Sequence, residues 1–130
     1  MTTMAHAEVE IATGEIRYAC AGHPPPLVIP LEGEPRYLWE GRSGPLGIEM
    51  RSRPDERDRL GPGDTLLLYT DGLIERKGES LAVGLERLLA AAGAAGAEEL
   101  QLLVDGILTK MLAGHPQEDD VCLIAGRIER

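Results

Sequence analysis

Residues 60–75 of the 130-residue chain read L-G-P-G-D-T-L-L-L-Y-T-D-G-L-I-E and contain its most apolar predicted strand. It opens with Gly61-Pro62-Gly63-Asp64, a combination of residues that favours a tight turn. Residues 65–70 then form a short, almost wholly apolar run, which is typical of a buried central strand. Asp71-Gly72 ends the run. We therefore expect the strand to place a carboxylate at one edge of a sheet.

The Asp-Gly step has two interpretations. A rigid strand end holds a carboxylate oxygen still, which suits a metal ligand, and the glycine beside it allows backbone or ligand to come close. Asp-Gly after a strand is also, and more commonly, a simple turn. The stretch by itself leaves both interpretations open.

Outward from this stretch, the upstream sequence predicts strands, and the downstream sequence predicts two helices followed by a final strand. The predicted strands cover residues 6–12, 16–21, 27–29, 36–39, 49–60, 65–70 and 121–128. We expect the charged stretch 49–60 to be an exposed edge strand. One helix is predicted after Gly84, and the second runs from Glu98 to Gly114.

This order of elements favours an α+β fold, with an antiparallel β-sandwich flanked by helices. One domain is expected over residues 6–130, after a disordered start at residues 1–5. Aromatic residues make up only 3% of the chain and there is no Phe, so its core must be aliphatic. Cys20 and Cys122 lack zinc-site spacing, so we expect two free thiols, each buried in a strand.

Charge and hydropathy exclude some classes of partner. The net charge is −9, from 22 acidic and 13 basic residues, which argues against a nucleic-acid surface. No apolar run approaches the length of a membrane span and no signal peptide is visible, so we expect a cytoplasmic protein with no membrane partner.

Two carboxylate positions stand out by their place in the predicted sheet. Asp71 ends the most apolar strand, and Asp119-Asp120 begins the last strand. If these strands are antiparallel neighbours, the carboxylates converge at one edge of the sheet. Magnesium and manganese prefer carboxylate and water oxygens, so this edge is a candidate site for such an ion. The alternative is that Asp119-Asp120 is only a charged loop.

Five segments of the chain carry a resemblance to a known family. They are Y-A-C-A-G-H-P-P-P-L-V at residues 18–28, G-P-L-G-I at 44–48, L-G-P-G-D-T-L-L-L at 60–68, Y-T-D-G-L-I-E at 69–75 and E-D-D-V-C-L-I at 118–124. In this order they resemble the SpoIIE-type branch of the PPM (protein phosphatase 2C-like) metal-dependent serine/threonine phosphatases. The resemblance extends over about residues 6–127.

The resemblance implies two antiparallel sheets packed face to face, flanked by helices, with two manganese or magnesium ions at one edge of the sandwich. It implies that Asp71 and Asp119 are metal ligands and that Asp120 is a weaker ligand or a neighbour of the ligands. Gly72 would let a metal-bound water come close. That water would be the nucleophile, so no side chain is assigned a catalytic role of its own. Gly22-His23 matches a family motif that we interpret as a structural turn.

One family motif has no counterpart in the chain. The family's first metal motif is a D-x-S-G-H-G-like segment whose Asp bridges both metals, so the chain corresponds to the C-terminal part of the catalytic domain. Two functions stay open. The first is a phosphoserine or phosphothreonine phosphatase domain acting on a phosphorylated bacterial regulator, such as an anti-sigma-factor antagonist. The second is a non-catalytic regulatory or oligomerisation module, with exposed sheet edges that would favour a homodimer.

Overall fold

A computed structural model describes residues 2–47, 55–93, 98–115 and 119–129 of the chain. Its strands are β1 (Met4–Val9), β2 (Glu15–Ala21), β3 (Leu27–Ile29), β4 (Arg36–Tyr37), β5 (Arg42–Ser43), β6 (Glu56–Arg59), β7 (Thr65–Tyr69) and β8 (Leu123–Arg127). Its helices are α1 (Leu81–Gly93) and α2 (Leu100–Leu112), and a short 3-10 turn (Asp71–Leu73) follows β7. The predicted order of strands, two helices and a last strand is confirmed.

The strands form two sheets. In the first sheet β1 lies along one side of β2, and β5 and β6 lie along the other side. The second sheet has the order β4-β3-β7-β8, which makes β7 and β8 antiparallel neighbours. The pairing of β2 with β5 is parallel, unlike the other strand pairs described. It is short because β5 has only two residues, and the backbone of Gly41 completes it by accepting the N–H of Cys20 at 2.8 Å.

The two faces of the second sheet bury two different clusters. Within β7, Leu67 and Tyr69 face the helices, while Leu66 faces the first sheet. This alternation follows from the two-residue period of a strand, and it gives three layers in the described residues: sheet, sheet and helices. The α+β sandwich is therefore confirmed, with both described helices on one side of it.

Two predicted boundaries differ from the structure. Strand β1 begins at Met4 and pairs with β2 from Ala21 onward, while Thr2 forms a bridge with Leu46, so the expected disordered start at residues 1–5 is wrong for residues 2–5. Hydrogen bonds to β2 order this segment. Helix α1 contains Gly84, whereas the sequence predicted that the helix follows it. A Cβ at that position would overlap the carbonyl oxygen of Ile74. Glycine there lets the helix pack directly on the preceding turn.

Two further expectations need correction. Cys20 is buried as predicted, but Cys122 is exposed because it lies just before β8, where the pairing with β7 ends. The charged edge strand is present as β6, although residues 49–54 of the predicted strand lie outside the described residues. In the described part of the chain, neither helix has the length and apolar character needed to cross a membrane.

Candidate metal centre

Hydrogen bonds join the end of β7 to the start of β8 at one edge of the second sheet. The backbone N–H of Thr70 donates to the carbonyl oxygen of Cys122 at 3.0 Å, and the N–H of Cys122 donates to Thr70 Oγ1 at 2.9 Å. Thr70 precedes Asp71, and Cys122 follows Asp119-Asp120. The predicted convergence of the two carboxylate positions is therefore present.

Three carboxylates meet at this edge. One oxygen from each of Asp71, Glu75 and Asp119 lies within 4.8 Å of the others, and all three residues are exposed. The chain makes a helical turn after Asp71, because the N–H of Glu75 donates to the Asp71 carbonyl oxygen at 2.8 Å. Residues four apart on such a turn share one side, so the turn directs Glu75 toward the same point as Asp71.

The electrostatics of this cluster favour a bound cation. Partial burial, together with the negative charges of Asp71 and Asp119, raises the pKa of Glu75 above its usual value. A divalent ion would remove the repulsion among the three groups, and hard cations such as Mg²⁺ and Mn²⁺ take carboxylate oxygens together with retained waters. The donor set of Asp71, Glu75 and Asp119 therefore fits such an ion.

Asp120 and Gly72 lie beside the cluster but take part through their backbones. The carboxylate of Asp120 is not among the three converging groups of the described residues, although its N–H donates to Asp119 Oδ1 at 2.8 Å. That bond helps to fix the Asp119 side chain. A Cβ on Gly72 would overlap the carbonyl oxygen of Asp120, so glycine allows the two chain segments to touch. The close approach at Gly72 is thus made by Asp120.

Gly22 and His23 lie beside the end of β7, and His23 is not among the converging ligand groups of the described residues. His23 Nε2 hydrogen-bonds to the carbonyl oxygen of Tyr69 at 2.9 Å. Gly22 has a positive φ of 62°, and Pro45 fills the space that a side chain would need. Burial raises the pKa of the Tyr69 hydroxyl, which donates to the carbonyl oxygen of Pro25 at 2.8 Å. These contacts join the proline-rich segment to the end of β7.

A cleft of about 480 Å³ borders the carboxylates and extends toward the end of α2. Its lining combines acidic, basic and apolar side chains, among them Glu75, Lys77, Leu81, His115 and Asp119. Its wall is tied to α2, because Arg76 donates to the carbonyl oxygen of Met111 at 2.8 Å. The cleft leaves room for a ligand beside the cluster.

Glu75 is the candidate ligand that the sequence prediction missed. It closes the Y-T-D-G-L-I-E segment, four residues after Asp71. That spacing is itself a signal, because a single helical turn brings such residues to one side. The sequence analysis placed no helical turn between the strand at residues 65–70 and the first helix, so this signal was not used.

Comparison with known proteins identifies the family and the fold. The family described as Stage II sporulation protein E (SpoIIE) matches residues 1–129. The structure of the RsbU and RsbW domains of Rv1364c from Mycobacterium tuberculosis superposes with a TM-score of 0.85 and 34% identity, over 98% of this chain and 36% of that chain. The manganese-presoaked phosphatase domain of SpoIIE from Bacillus subtilis superposes with a TM-score of 0.71 and 18% identity, over 99% of this chain and 57% of that chain. RsbX in complex with magnesium superposes with a TM-score of 0.67 and 16% identity, over 98% of this chain and 56% of that chain.

The chain spans between 36% and 57% of the length of these three structures. The matches below 25% identity establish the shared fold, and the family match covers nearly every residue. The resemblance to SpoIIE-type PPM phosphatases is therefore confirmed: this chain belongs to the SpoIIE family, whose fold is that of protein phosphatase 2C-like domains.

Proposed function

We propose that the chain is the C-terminal part of a metal-dependent protein phosphatase domain that hydrolyses phosphoserine or phosphothreonine. The observation that carries this proposal is the convergence of Asp71, Glu75 and Asp119 where β7 ends and β8 begins. Membership of the SpoIIE family and the exposed position of the carboxylates support it. The proposal assigns Asp71 and Asp119 as metal ligands, as the resemblance implies, and adds Glu75.

The proposed cofactor is Mn²⁺ or Mg²⁺, held by these three residues. When bound, such an ion supplies charge neutralisation for a phosphoryl group and acidifies a coordinated water. The turn after β7 fixes the backbone of Asp71, and the N–H of Asp120 fixes the side chain of Asp119, so both carboxylates are held in place. The adjoining cleft would receive the phosphorylated segment, with Lys77 and His115 in its lining.

The proposed substrate is a phosphorylated bacterial regulator, of the kind represented by anti-sigma-factor antagonists. The family resemblance supports this substrate class. So does the 34% identity to a protein in which an RsbU domain is joined to an RsbW domain. An exposed cleft beside exposed carboxylates suits a protein substrate, because a phosphorylated loop can reach it from solvent.

Hydrolysis of para-nitrophenyl phosphate with millimolar Mn²⁺ tests the catalytic proposal. Asp71→Asn keeps the size of the side chain and removes the charge of a proposed ligand. Asp105→Asn on α2 is the matched control, because Asp105 is exposed on a helix outside the cluster. We expect turnover that depends on metal, is lost in Asp71→Asn and is retained in Asp105→Asn. A folded chain without turnover would contradict catalysis by this polypeptide.

The second candidate function is a non-catalytic regulatory or oligomerisation module. This function stays open from the resemblance, in which the family's first metal motif has no counterpart among these 130 residues. Two nearby metal ions repel each other unless bridging oxygens hold them, and the bridging Asp of that motif has no counterpart here. A stoichiometric complex that forms without metal would support this second function.

A further inference from the structure

The peptide group that joins Tyr69 to Thr70, at the end of β7, is hydrogen-bonded on both sides. Its N–H, on Thr70, donates to the carbonyl oxygen of Cys122 at 3.0 Å. Because the N–H and the C=O of a trans peptide point in opposite directions, the Tyr69 carbonyl points away from β8, toward the side on which β3 pairs with β7. There it accepts a hydrogen bond from His23 Nε2 at 2.9 Å. Both groups of this peptide are therefore satisfied, and Asp71 follows one residue later.

The side chain of His23 donates where the backbone of the neighbouring segment cannot. The pairing of β3 with β7 ends at Leu27, opposite Leu67. Two residues further along the same register, Pro25 would lie opposite Tyr69. Proline has no backbone N–H, so the run of prolines before β3 cannot continue the ladder along β7. Tyr69 is only 3% exposed, and a buried carbonyl group without a donor is costly, so the end of β7 needs a donor from outside the ladder.

The chain on either side of His23 restricts its backbone. Gly22 has a positive φ of 62°, and its N–H donates to the carbonyl oxygen of Ser43 at 2.7 Å, which joins this turn to the end of β5. Pro24 follows His23 directly, and a residue before proline favours an extended backbone. The imidazole therefore extends toward β7 from a stiff segment. Because a carbonyl oxygen only accepts hydrogen bonds, Nε2 carries the proton.

We propose that His23 is a positioning residue for Asp71. By donating from Nε2 to the Tyr69 carbonyl, it completes the sheet at the end of β7 and fixes the point from which the Asp71 carboxylate extends. A functional side chain must be held to within about 0.5 Å of its working position, so a loose strand end weakens metal binding. His23 acts through the backbone of β7, and its role in the site rests on the proposed function, in which Asp71 is a metal ligand.

Three substitutions of His23 separate hydrogen-bond donation from packing. His23→Leu removes the donor. His23→Gln keeps an N–H donor, because its amide nitrogen is as many bonds from Cα as Nε2 is. His23→Asn carries the same amide group on a side chain one carbon shorter, which does not reach the Tyr69 carbonyl. His6→Leu is the matched control, because His6 is exposed on β1 in the first sheet.

Amide hydrogen exchange without metal, followed by nuclear magnetic resonance, is the first measurement. The N–H of Thr70 reports on the end of β7, and the N–H of Glu75 reports on the Asp71 backbone because it donates to the Asp71 carbonyl oxygen. We expect both amides to exchange about tenfold or more faster in His23→Leu and His23→Asn, and at the unmodified rate in His23→Gln and His6→Leu. Mn²⁺ affinity, measured by calorimetry, should be weakened in the same two variants and restored in His23→Gln.

The two measurements distinguish failure of this proposal from failure of the metal site. Equal exchange rates in the unmodified chain and in His23→Asn, or fast exchange that His23→Gln does not restore, would overturn positioning by His23. So would an Mn²⁺ affinity that stays unchanged while exchange accelerates. The expected exchange rates in a chain that binds no Mn²⁺ would support the role of His23 at the end of β7 and contradict the metal site alone. Circular dichroism establishes folding, and if His23→Leu unfolds, the comparison of His23→Asn with His23→Gln decides the test.

Discussion

The backbone N–H of Glu75 donates to the carbonyl oxygen of Asp71 at 2.8 Å, and this one bond defines the geometry of the carboxylate cluster. It continues the chain from β7 into a helical turn and brings a third carboxylate to the two that the ends of β7 and β8 supply. Partial desolvation, together with the resulting repulsion, raises the pKa of Glu75. The arrangement of the three carboxylates thus favours a bound positive charge.

Glu75→Gln tests whether this third carboxylate contributes to metal binding. The substitution keeps the shape of the side chain and removes one negative charge from the cluster. We expect Mn²⁺ affinity, measured by isothermal titration calorimetry, to fall by about tenfold or more, because each charged ligand contributes to binding a hard cation. Glu86→Gln on the exposed side of α1 is the control and should bind as the unmodified chain does. Equal Mn²⁺ affinities of Glu75→Gln and Glu86→Gln would contradict the assignment of Glu75 as a metal ligand.

Gly72→Ala should disturb the site without changing any carboxylate. The added methyl group overlaps the carbonyl oxygen of Asp120, so the segment leading into β8 must move. We expect a loss of about 1–3 kcal/mol in the free energy of unfolding, the usual cost of overpacking, and weaker Mn²⁺ binding. Urea denaturation measures the first and calorimetry the second.

Gly106→Ala is the matched control for Gly72→Ala. Gly106 lies in α2 with open space around the position of its Cβ, so alanine should stabilise the helix by about 0.5–1 kcal/mol. Equal free energies of unfolding for Gly72→Ala and Gly106→Ala would contradict the close contact between Gly72 and Asp120.

The two thiols should differ in reactivity. Burial raises the pKa of Cys20 to about 11, whereas Cys122 is exposed. Because the thiolate is the nucleophile, we expect a disulfide reagent at pH 8 to modify Cys122 at once and Cys20 only on unfolding. Since the folded state holds the Cys20 proton more tightly than the unfolded state, stability should fall as pH rises from about 9 to 11. Rapid labelling of Cys122→Ser would contradict the buried position of Cys20.

Strand β7 should tolerate the truncation of a buried side chain poorly. Leu67 has 0% exposure and packs in the cluster between the second sheet and the helices. Leu67→Ala should cost about 2–5 kcal/mol, because it removes buried methyl groups and leaves a cavity. Leu102→Ala, at a side chain 59% exposed on α2, should cost well under half of that in the same urea titration. Similar costs for both would contradict the packing of β7 in the core.

Much of this architecture follows from sequence periodicity. The sequence predicted the strands that form β1 and β2, and the uniformly apolar run predicted β7 as a strand covered on both faces. The sequence predicted that Asp71 and Asp119 converge only if their two strands are antiparallel neighbours, and the pairing of β7 with β8 meets that condition. These features are local or are fixed by how neighbouring strands pair.

Other features depend on tertiary contacts that periodicity does not encode. Glycine at residue 84 lets α1 pack closely on Ile74, and the parallel pairing of β5 with β2 depends on where the chain returns after β4. Cys122 was expected inside the last strand, but β8 begins one residue after it, at Leu123. Glu75 was missed because a charged residue after a turn looks like part of a loop.

Direct titration of Mn²⁺, followed by the electron paramagnetic resonance signal of the free ion, tests the central claim that the ends of β7 and β8 form a metal site. The comparison is between the unmodified chain, Asp119→Asn and the control Asp105→Asn, each verified as folded. We predict saturable binding that Asp105→Asn retains and that Asp119→Asn weakens by about tenfold or more. Binding that is absent from the unmodified chain, or equal in all three proteins, would contradict the account.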